Sequence, residues 1–286
     1  MKQRTLKKIL SGGLLWSGIF LLGLSMIAGA TVPASASERI ICASTTSTQN
    51  SGLFEVLLPA FKQASGIEVA VVAVGTGQAL EMARRGDADV LLVHDPAAEK
   101  KFVEEGYGLN RRQVMYNDFI VVGPASDPAK ISGSKDAVEA MKKLAASGWH
   151  FVSRGDKSGT HSMELKLWKK AEVDPKGKAE YLEAGQGMEN TLRMANEKQF
   201  YTLTDRGTWL ATKDKEKSTL KVMVEGDPQL FNQYGVIEVN PAKHPHAKIK
   251  PATAFADWLV SPAGQKIIGD FKDKHGNPLF VPNAGK

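Results

Sequence analysis

The segment Ile40–Phe61, IICASTTSTQNSGLFEVLLPAF, joins a short apolar run to an apolar helical pattern through a polar turn. Ile40–Ala43 predicts a buried strand, and the spacing of apolar residues from Leu53 to Phe61 predicts an amphipathic helix. The turn between them contains five consecutive hydroxyl residues, Ser44 to Thr48. One such residue is enough to cap a helix, so the run also suggests a binding role.

Short apolar runs and helical patterns continue to alternate along the chain. This alternation is typical of an α/β protein in which helices flank a parallel or mixed sheet. The predicted strands are Ile40–Ala43, Ile67–Val74, Val90–Val93, Phe119–Val122, His150–Val152, Tyr201–Leu203, Val222–Val224 and Tyr234–Val239. The predicted helices are Gly52–Ala64, Gln78–Arg85, Ala97–Glu105, Lys135–Ala146, Ser162–Ala171, Met188–Lys198, Ala252–Val260 and Pro262–Lys272.

Two long extended runs, Asp118–Pro124 and Phe231–Ile237, are candidates for crossings between two lobes. If both cross, residues 37–120 and 235–286 form lobe I, residues 121–234 form lobe II, and a ligand cleft lies between the lobes. A single larger α/β sheet is the alternative.

The N-terminus has the pattern of an export signal. Four basic residues precede the apolar run Ile9–Ala30, and Ala34-Ser35-Ala36 offers a cleavage site. We expect residues 1–36 to be a signal peptide and the mature protein to be periplasmic; an uncleaved membrane anchor is the alternative. The signal holds four of the 37 basic residues and none of the 31 acidic ones, which leaves 33 basic and 31 acidic residues. This near balance gives no support for a nucleic-acid partner.

The single cysteine, Cys42, lies in the first predicted strand. One cysteine cannot form a disulfide within the chain, and its apolar neighbours favour a buried, inert thiol. We therefore expect stability to come from core packing. Separately, we expect a monomer that needs no cofactor.

The turn after the first strand has the properties of an anion site. The first amide groups of a helix lack partners within the helix, and the helix dipole makes them attractive to anions. Hydroxyls add donors without adding charge. A second turn, Gly75-Thr76-Gly77, again follows a strand and precedes a helix, and its glycines permit close approach to a ligand. Plain helix capping is the alternative for the first turn, and an ordinary glycine turn is the alternative for the second.

The third turn, SRGDKSGTH from Ser153 to His161, is the most specific. Arg154 offers a planar fork of donors that suits an oxyanion. Ser158 and Thr160 stand at the start of a predicted helix, and Asp156 could orient Arg154. An ordinary surface ion pair beside a capped helix is the alternative. Together the three turns predict a cleft for a small anion that needs many donors.

The chain resembles the tungstate-binding proteins of ABC uptake systems in five motifs, which occur in order over essentially the whole mature chain. They are Ser44–Leu53, Val74–Leu80, Asp89–His94, Asn117–Pro124 and Ser153–His161. The resemblance implies a two-lobed periplasmic binding protein of type II, which captures tungstate, with molybdate as a second candidate, for a membrane permease. Carried over by position, the resemblance implies anion-binding roles for two groups of residues. Thr45, Thr46, Ser47 and Thr76 form one side of the site, and Arg154, Ser158 and Thr160 form the other.

The pattern Arg-x-Asp-x-Ser-Gly-Thr at 154–160 is also similar to phosphate-binding relatives of this fold. Phosphate carries a proton at neutral pH and needs an acceptor, whereas tungstate needs only donors. Asp95 and Asp156 are the candidate acceptors, and the sequence leaves their orientation open. It also leaves open whether Arg206 reaches the cleft.

Two other functional classes have little support. A serine hydrolase would use Ser47 or Ser158 with a histidine base, but no Gly-x-Ser-x-Gly motif is present. His244-Pro245-His246 offers two ligands for a metal without a third. We therefore expect a binding protein without catalytic residues.

Overall fold

The computed structural model describes residues 38–214 and 217–285; the predicted signal peptide lies outside them. Strand β1 (Arg39–Thr45) runs parallel to both of its neighbours, β2 (Glu68–Val74) and β3 (Val90–Val93). Every residue of β3 is buried, as is typical of a strand that is covered on both faces. Because the three strands are parallel, the turns that follow them leave the sheet at the same edge.

Two long strands connect the remaining parts of the sheet. β4 (Gly108–Gly123) and β9 (Phe231–Val239) are antiparallel, and β9 also pairs with β3. The first part of β4 pairs with β9 and with β10 (Val281–Pro282). Its last part pairs with β7 (Thr202–Asp205) and β8 (Lys221–Val224). A separate parallel pair consists of β5 (Phe151–Ser153) and β6 (Tyr181–Glu183).

Helices connect and cover these strands. They are α1 (Thr46–Asn50), α2 (Leu53–Ser65), α3 (Thr76–Arg85), α4 (Pro96–Glu104), α5 (Ala137–Ser147), α6 (Gly159–Lys170), α7 (Met188–Lys198), α8 (Arg206–Thr212), α9 (Ile249–Val260) and α10 (Pro262–Asp270). Many begin at a side chain that accepts a hydrogen bond from an amide of the first turn, as Asp136 does for α5 and Ser261 for α10. Within the described part of the chain, none of these helices combines the length and apolarity needed to cross a bilayer.

Buried aromatic residues organise the core. Phe61 of α2 and Phe255 of α9 pack edge to face with ring centroids 5.0 Å apart. Elsewhere Phe151 packs against Trp168, and Phe102 is fully buried beside β3. Full burial of one such side chain contributes on the order of 1.5–3 kcal/mol. Cys42 is buried as expected, and burial raises the pKa of its thiol to about 12.

The predicted strands and helices are all present, and Val90–Val93 and Met188–Lys198 coincide with β3 and α7. The sequence prediction was wrong about the length of β4, which begins at Gly108 rather than at Phe119. That first part is polar, but Arg111 pairs with the buried Glu99, and Arg112 pairs with the buried Glu238. Five short elements were not predicted: α1, α8, β6, β10 and a 3₁₀ helix at Pro228–Leu230. Helix α6 begins three residues earlier than predicted.

Candidate functional site

The three polar turns of the sequence pack against one another. A Cβ atom at Gly75 would lie 3.6 Å from the carbonyl oxygen of Asp156 and 3.9 Å from the Cβ of Ser158. A Cβ at Gly77 would lie 3.4 Å from the carbonyl oxygen of Lys157. A Cβ at either glycine would be in ordinary van der Waals contact, so the start of α3 packs against the turn before α6.

Arg154 connects the turn before α6 with the turn after β1. Its side chain is only 2% exposed, and its Nη2 lies 3.4 Å from the hydroxyl oxygen of Thr46. The same nitrogen donates to Asp156 Oδ2, and Asp156 Oδ1 accepts from the backbone N of Ser158 at 3.1 Å. Asp156 thus holds the guanidinium in place, and both of its carboxylate oxygens accept hydrogen bonds from the protein.

The hydroxyl run from the end of β1 into α1 has two kinds of members. Ser44 donates to the carbonyl of Leu92 at 2.6 Å, and Thr45 caps α1 by accepting from the amide of Thr48. The hydroxyls of Thr45 and Thr48 also lie 2.7 Å apart. Thr46, in contrast, faces Arg154. Capping and internal hydrogen bonds therefore account for part of the run, and Thr46 is the member directed at the opposite turn.

Ser47 lies beside a buried histidine that the sequence prediction did not include. Its Oγ is 3.4 Å from Nε2 of His94, and Nδ1 of His94 is 3.0 Å from Oδ1 of Asn232. Asn232 donates to Asn117, which donates to the carbonyl of Leu279. The carbonyl of Leu279 can only accept, so each hydrogen bond in this series is donated in the direction of Leu279. Asn232 Oδ1 therefore accepts from His94, which carries its hydrogen on Nδ1 and accepts at Nε2.

His94 also touches the third turn. A Cβ at Gly159 would lie 3.0 Å from the imidazole Cε1 and 3.3 Å from the carbonyl oxygen of His94. Burial lowers the pKa of His94, although the nearby Asp205 opposes this shift. The imidazole is therefore neutral near pH 7. One sequence signal could have indicated His94. This residue directly follows β3, at the sheet edge where β1 and β2 also end.

Several buried donors at these turns lack partners. Within residues 38–214 and 217–285, six buried side-chain nitrogen or oxygen atoms have no hydrogen-bond partner, and four of them lie in the first turns of α3 and α6 or in the loop before α6. The four atoms are Thr76 Oγ1, Arg154 Nε, Thr160 Oγ1 and His161 Nε2. Buried polar groups in proteins normally have partners, so this concentration is typical of a ligand-binding site.

Ser158 adds a further hydroxyl to this group. It caps α6 by accepting from the amide of His161 at 3.2 Å, and its own hydrogen can still be donated. The helix that begins here presents its first amide groups and the positive end of its dipole toward the same place.

A buried carboxyl supports the turn that carries Arg154. Glu164 of α6 accepts from Ser153 Oγ at 2.6 Å, Tyr181 OH at 2.6 Å and Trp168 Nε1 at 3.0 Å. Ser153 Oγ in turn accepts from the amide of Gly155 at 3.2 Å. Burial raises the pKa of Glu164 to about 7, while the three hydrogen bonds oppose this shift.

Other candidates from the sequence have partners outside the three turns. Asp95 caps α4 by accepting from the amide of Ala98 at 3.3 Å. Arg206 forms two hydrogen bonds to Asp118 and a third to Glu225. No cluster of three metal-ligating side chains occurs in the described part of the chain. The site therefore offers hydroxyl, imidazole, guanidinium and amide donors, and Asp156, the carboxylate that pairs with Arg154, is already bonded.

The comparisons with known proteins agree with this chemistry. Residues 30–263 match the model of the PBP superfamily domain. The tungstate-binding protein TupA of Peptoclostridium acidaminophilum is 52% identical over 254 residues, which cover 88% of each chain. The solved tungstate-binding protein TupA of Desulfovibrio alaskensis G20 is 50% identical and superposes with a TM-score of 0.75 over 86% of this chain and 99% of its own.

A solved structure titled the tungstate ABC transporter of Geobacter sulfurreducens is 52% identical, with a TM-score of 0.75 over 82% of this chain and 100% of its own. These matches confirm the predicted α/β fold of a type II periplasmic binding protein. The chain belongs to the PBP superfamily and, within it, to the family of the tungstate-binding proteins called TupA.

Proposed function

We propose that this chain binds tungstate, with molybdate as a second ligand, and delivers it to the permease of an ABC transporter. The observation that carries the proposal is the meeting of Arg154 with buried, unpartnered hydroxyls. The proposed anion-binding residues are those of the three turns: Thr45, Thr46, Ser47, Thr76, Arg154, Ser158 and Thr160. The relatives that are called tungstate-binding proteins support this choice of ligand.

The donor set favours an anion without protons. Tungstate is a dianion that only accepts hydrogen bonds, and a hydrogen bond to a charged group contributes about 1.5–3 kcal/mol. Hydrogen phosphate would instead require an acceptor. Asp156 is the carboxylate that pairs with Arg154, and its oxygens already accept from Arg154 and from the amide of Ser158. This arrangement supports tungstate over phosphate.

We infer that closure of two lobes buries the anion. The proposed lobes are residues 37–120 with 235–286, and residues 121–234. The pairing of β4 supports this division, because one strand takes part in both groups of strands. Thr46 and Thr76 belong to the first proposed lobe, and Arg154 belongs to the second. Their approach then corresponds to the closed form of the cleft.

We further propose that the mature protein acts in the periplasm as a monomer, after removal of residues 1–36, and has no catalytic role. One arrangement gives a hydrolase some support: Ser47, His94 and Asn232 are connected in the order of nucleophile, base and orienting group. Ser47 is, however, fully buried inside the short helix α1. Treatment with a fluorophosphonate should leave the protein unlabelled, and labelling at Ser47 would favour the hydrolase.

The proposed function is tested by isothermal titration of protein purified from a periplasmic extract. Tungstate should bind tightly with one anion per chain, molybdate should also bind, and phosphate and sulfate should bind weakly or not at all. Tight phosphate binding without tungstate binding would overturn the proposal. Sequencing of the mature N-terminus tests cleavage after Ala36.

A further inference from the structure

His161 has a fixed arrangement of hydrogens. Its Nδ1 lies 3.0 Å from the backbone N of Lys157. A backbone N–H can only donate, so Nδ1 accepts, and the neutral ring must carry its hydrogen on Nε2. Burial lowers the pKa of His161, against the opposing charges of Asp156 and Glu183. The ring is therefore a neutral donor at pH 7.

The Nε2–H group of His161 has no acceptor among residues 38–214 and 217–285, although the residue is only 7% exposed. The side chain lines a cavity of about 300 Å³ together with Thr76, Gly77, Asp95 and Lys157. The hydroxyl of Thr76 is also buried and unpartnered. Two unpartnered groups, one at the start of α3 and one at the start of α6, therefore line one cavity. An unsatisfied buried donor destabilises the folded protein, so an acceptor supplied by a ligand would remove that penalty.

We propose that His161, in the first turn of α6, is a further anion-binding residue. Its Nε2–H donates to the bound oxyanion in the cavity that Thr76 also lines. The inference rests on the proposed function of the same site. It also adds to specificity, because a neutral imidazole with hydrogen on Nε2 cannot accept the proton of hydrogen phosphate. The amide of Lys157 holds the ring in this state by occupying Nδ1.

Capping of the turn through Nδ1 is the competing explanation, and two substitutions separate the two roles. In His161→Asn the amide oxygen can take the place of Nδ1 and accept from Lys157, but nothing donates from the position of Nε2. In His161→Gln the longer side chain can place an N–H near the position of Nε2, but the acceptor for Lys157 is lost.

Titration calorimetry with sodium tungstate gives the decisive comparison. We expect His161→Asn to weaken binding by about tenfold or more and His161→Gln to stay within about threefold of the wild type. The imidazole Nε2 resonance of the wild type should also shift in ¹⁵N NMR spectra when tungstate is added. His246→Asn, at an exposed histidine that contacts Gly86, is the matched control and should bind as the wild type does.

The reverse order of the two variants would assign His161 to capping and overturn the inference. Wild-type affinity in His161→Asn, or equal losses in both variants, would also overturn it. A wild type that fails to bind tungstate would instead sink the proposed function, so the two failures are distinguishable. Thermal unfolding of each variant checks that any lost affinity comes from a folded protein.

Discussion

The guanidinium Nη2 of Arg154 lies 3.4 Å from the hydroxyl oxygen of Thr46, although 108 residues separate the two in the chain. This contact joins two turns that the sequence identifies independently. Arg154 is also the one cation among the proposed anion-binding residues, and its Nε is a buried donor without a partner in the described part of the chain.

Replacement of Arg154 therefore tests the charge at the centre of the proposed site. We expect Arg154→Ala to lower tungstate affinity by about a hundredfold or more, since truncating one partner of a buried charge pair costs about 2–5 kcal/mol. Arg154→Lys should recover only part of the affinity, because a point charge cannot reproduce the planar fork. Titration calorimetry measures both, and undiminished affinity in Arg154→Ala would remove Arg154 from the site.

Arg206 provides the matched control for the loss of an arginine. Its guanidinium donates to Asp118 at 2.6 and 2.7 Å and to Glu225 at 2.7 Å. These carboxylates, led by the hydrogen bonds to Asp118, hold the pKa of Arg206 above its usual range. We expect Arg206→Lys to lower the unfolding temperature slightly and to leave the tungstate affinity unchanged. A tenfold loss of affinity would mean that Arg206 acts on the anion after all.

Gly159 tests the packing between His94 and the start of α6. A methyl group there would lie 3.0 Å from His94 Cε1, 3.1 Å from Nδ1 and 3.3 Å from the carbonyl oxygen. The ring cannot move freely, since Asn232 and Tyr234 hold it. Gly159→Ala should therefore displace Ser158 and Thr160 and weaken tungstate binding by about tenfold. Overpacking should also lower the free energy of unfolding by about 1–3 kcal/mol.

Two exposed glycines, Gly133 and Gly276, have room for a Cβ, which would meet nothing within 4 Å. They are still unsuitable controls, because their φ values are positive. Ala146→Gly on the surface of α5 is a better one, since it should lower stability by about 1 kcal/mol without any effect on binding. If Gly159→Ala and this control show the same affinity as the wild type, the contact with His94 does not position the site.

The fold was largely predictable because its strands and helices have strong periodic patterns. The exceptions have local causes. The first part of β4 contains Asn110, Arg111 and Arg112 in sequence, and their partners lie in other segments: Glu99 in α4, and Glu238 far along the chain in β9. A pattern within one segment cannot reveal a partner 126 residues away, as Arg112 and Glu238 are.

The candidate site was predictable to the level of turns, but the role of each side chain was not. Hydroxyl runs and a helix start indicate an anion site, but only the structure separates Thr46, which faces Arg154, from Ser44, which donates to Leu92. His94 and His161 escaped the prediction because single histidines carry no spacing signal. Their importance depends on partners such as Asn232 and on the direction of each hydrogen bond.

Glu164 tests the support of the Arg154 turn through the pH dependence of stability. Its pKa is raised to about 7 by burial, compared with an ordinary value of 4.5. Between these values the folded state holds a proton that the unfolded state releases. The resulting stability is therefore complete below about pH 4.5 and is lost as the pH rises through 7. Glu164→Gln reproduces the uncharged group at every pH.

We expect Glu164→Gln to unfold at nearly the same temperature as the wild type at pH 5 and at a higher temperature at pH 8. The difference corresponds to roughly 3 kcal/mol, since each unit of pKa shift equals about 1.4 kcal/mol. The titrations of Glu99, His94 and His161 are common to both proteins and cancel in the comparison. Glu197→Gln, at an exposed position on α7, should show a constant difference from the wild type between pH 5 and 8. A constant difference for Glu164→Gln as well would mean that Glu164 is ionised throughout this range, stabilised by Ser153, Tyr181 and Trp168.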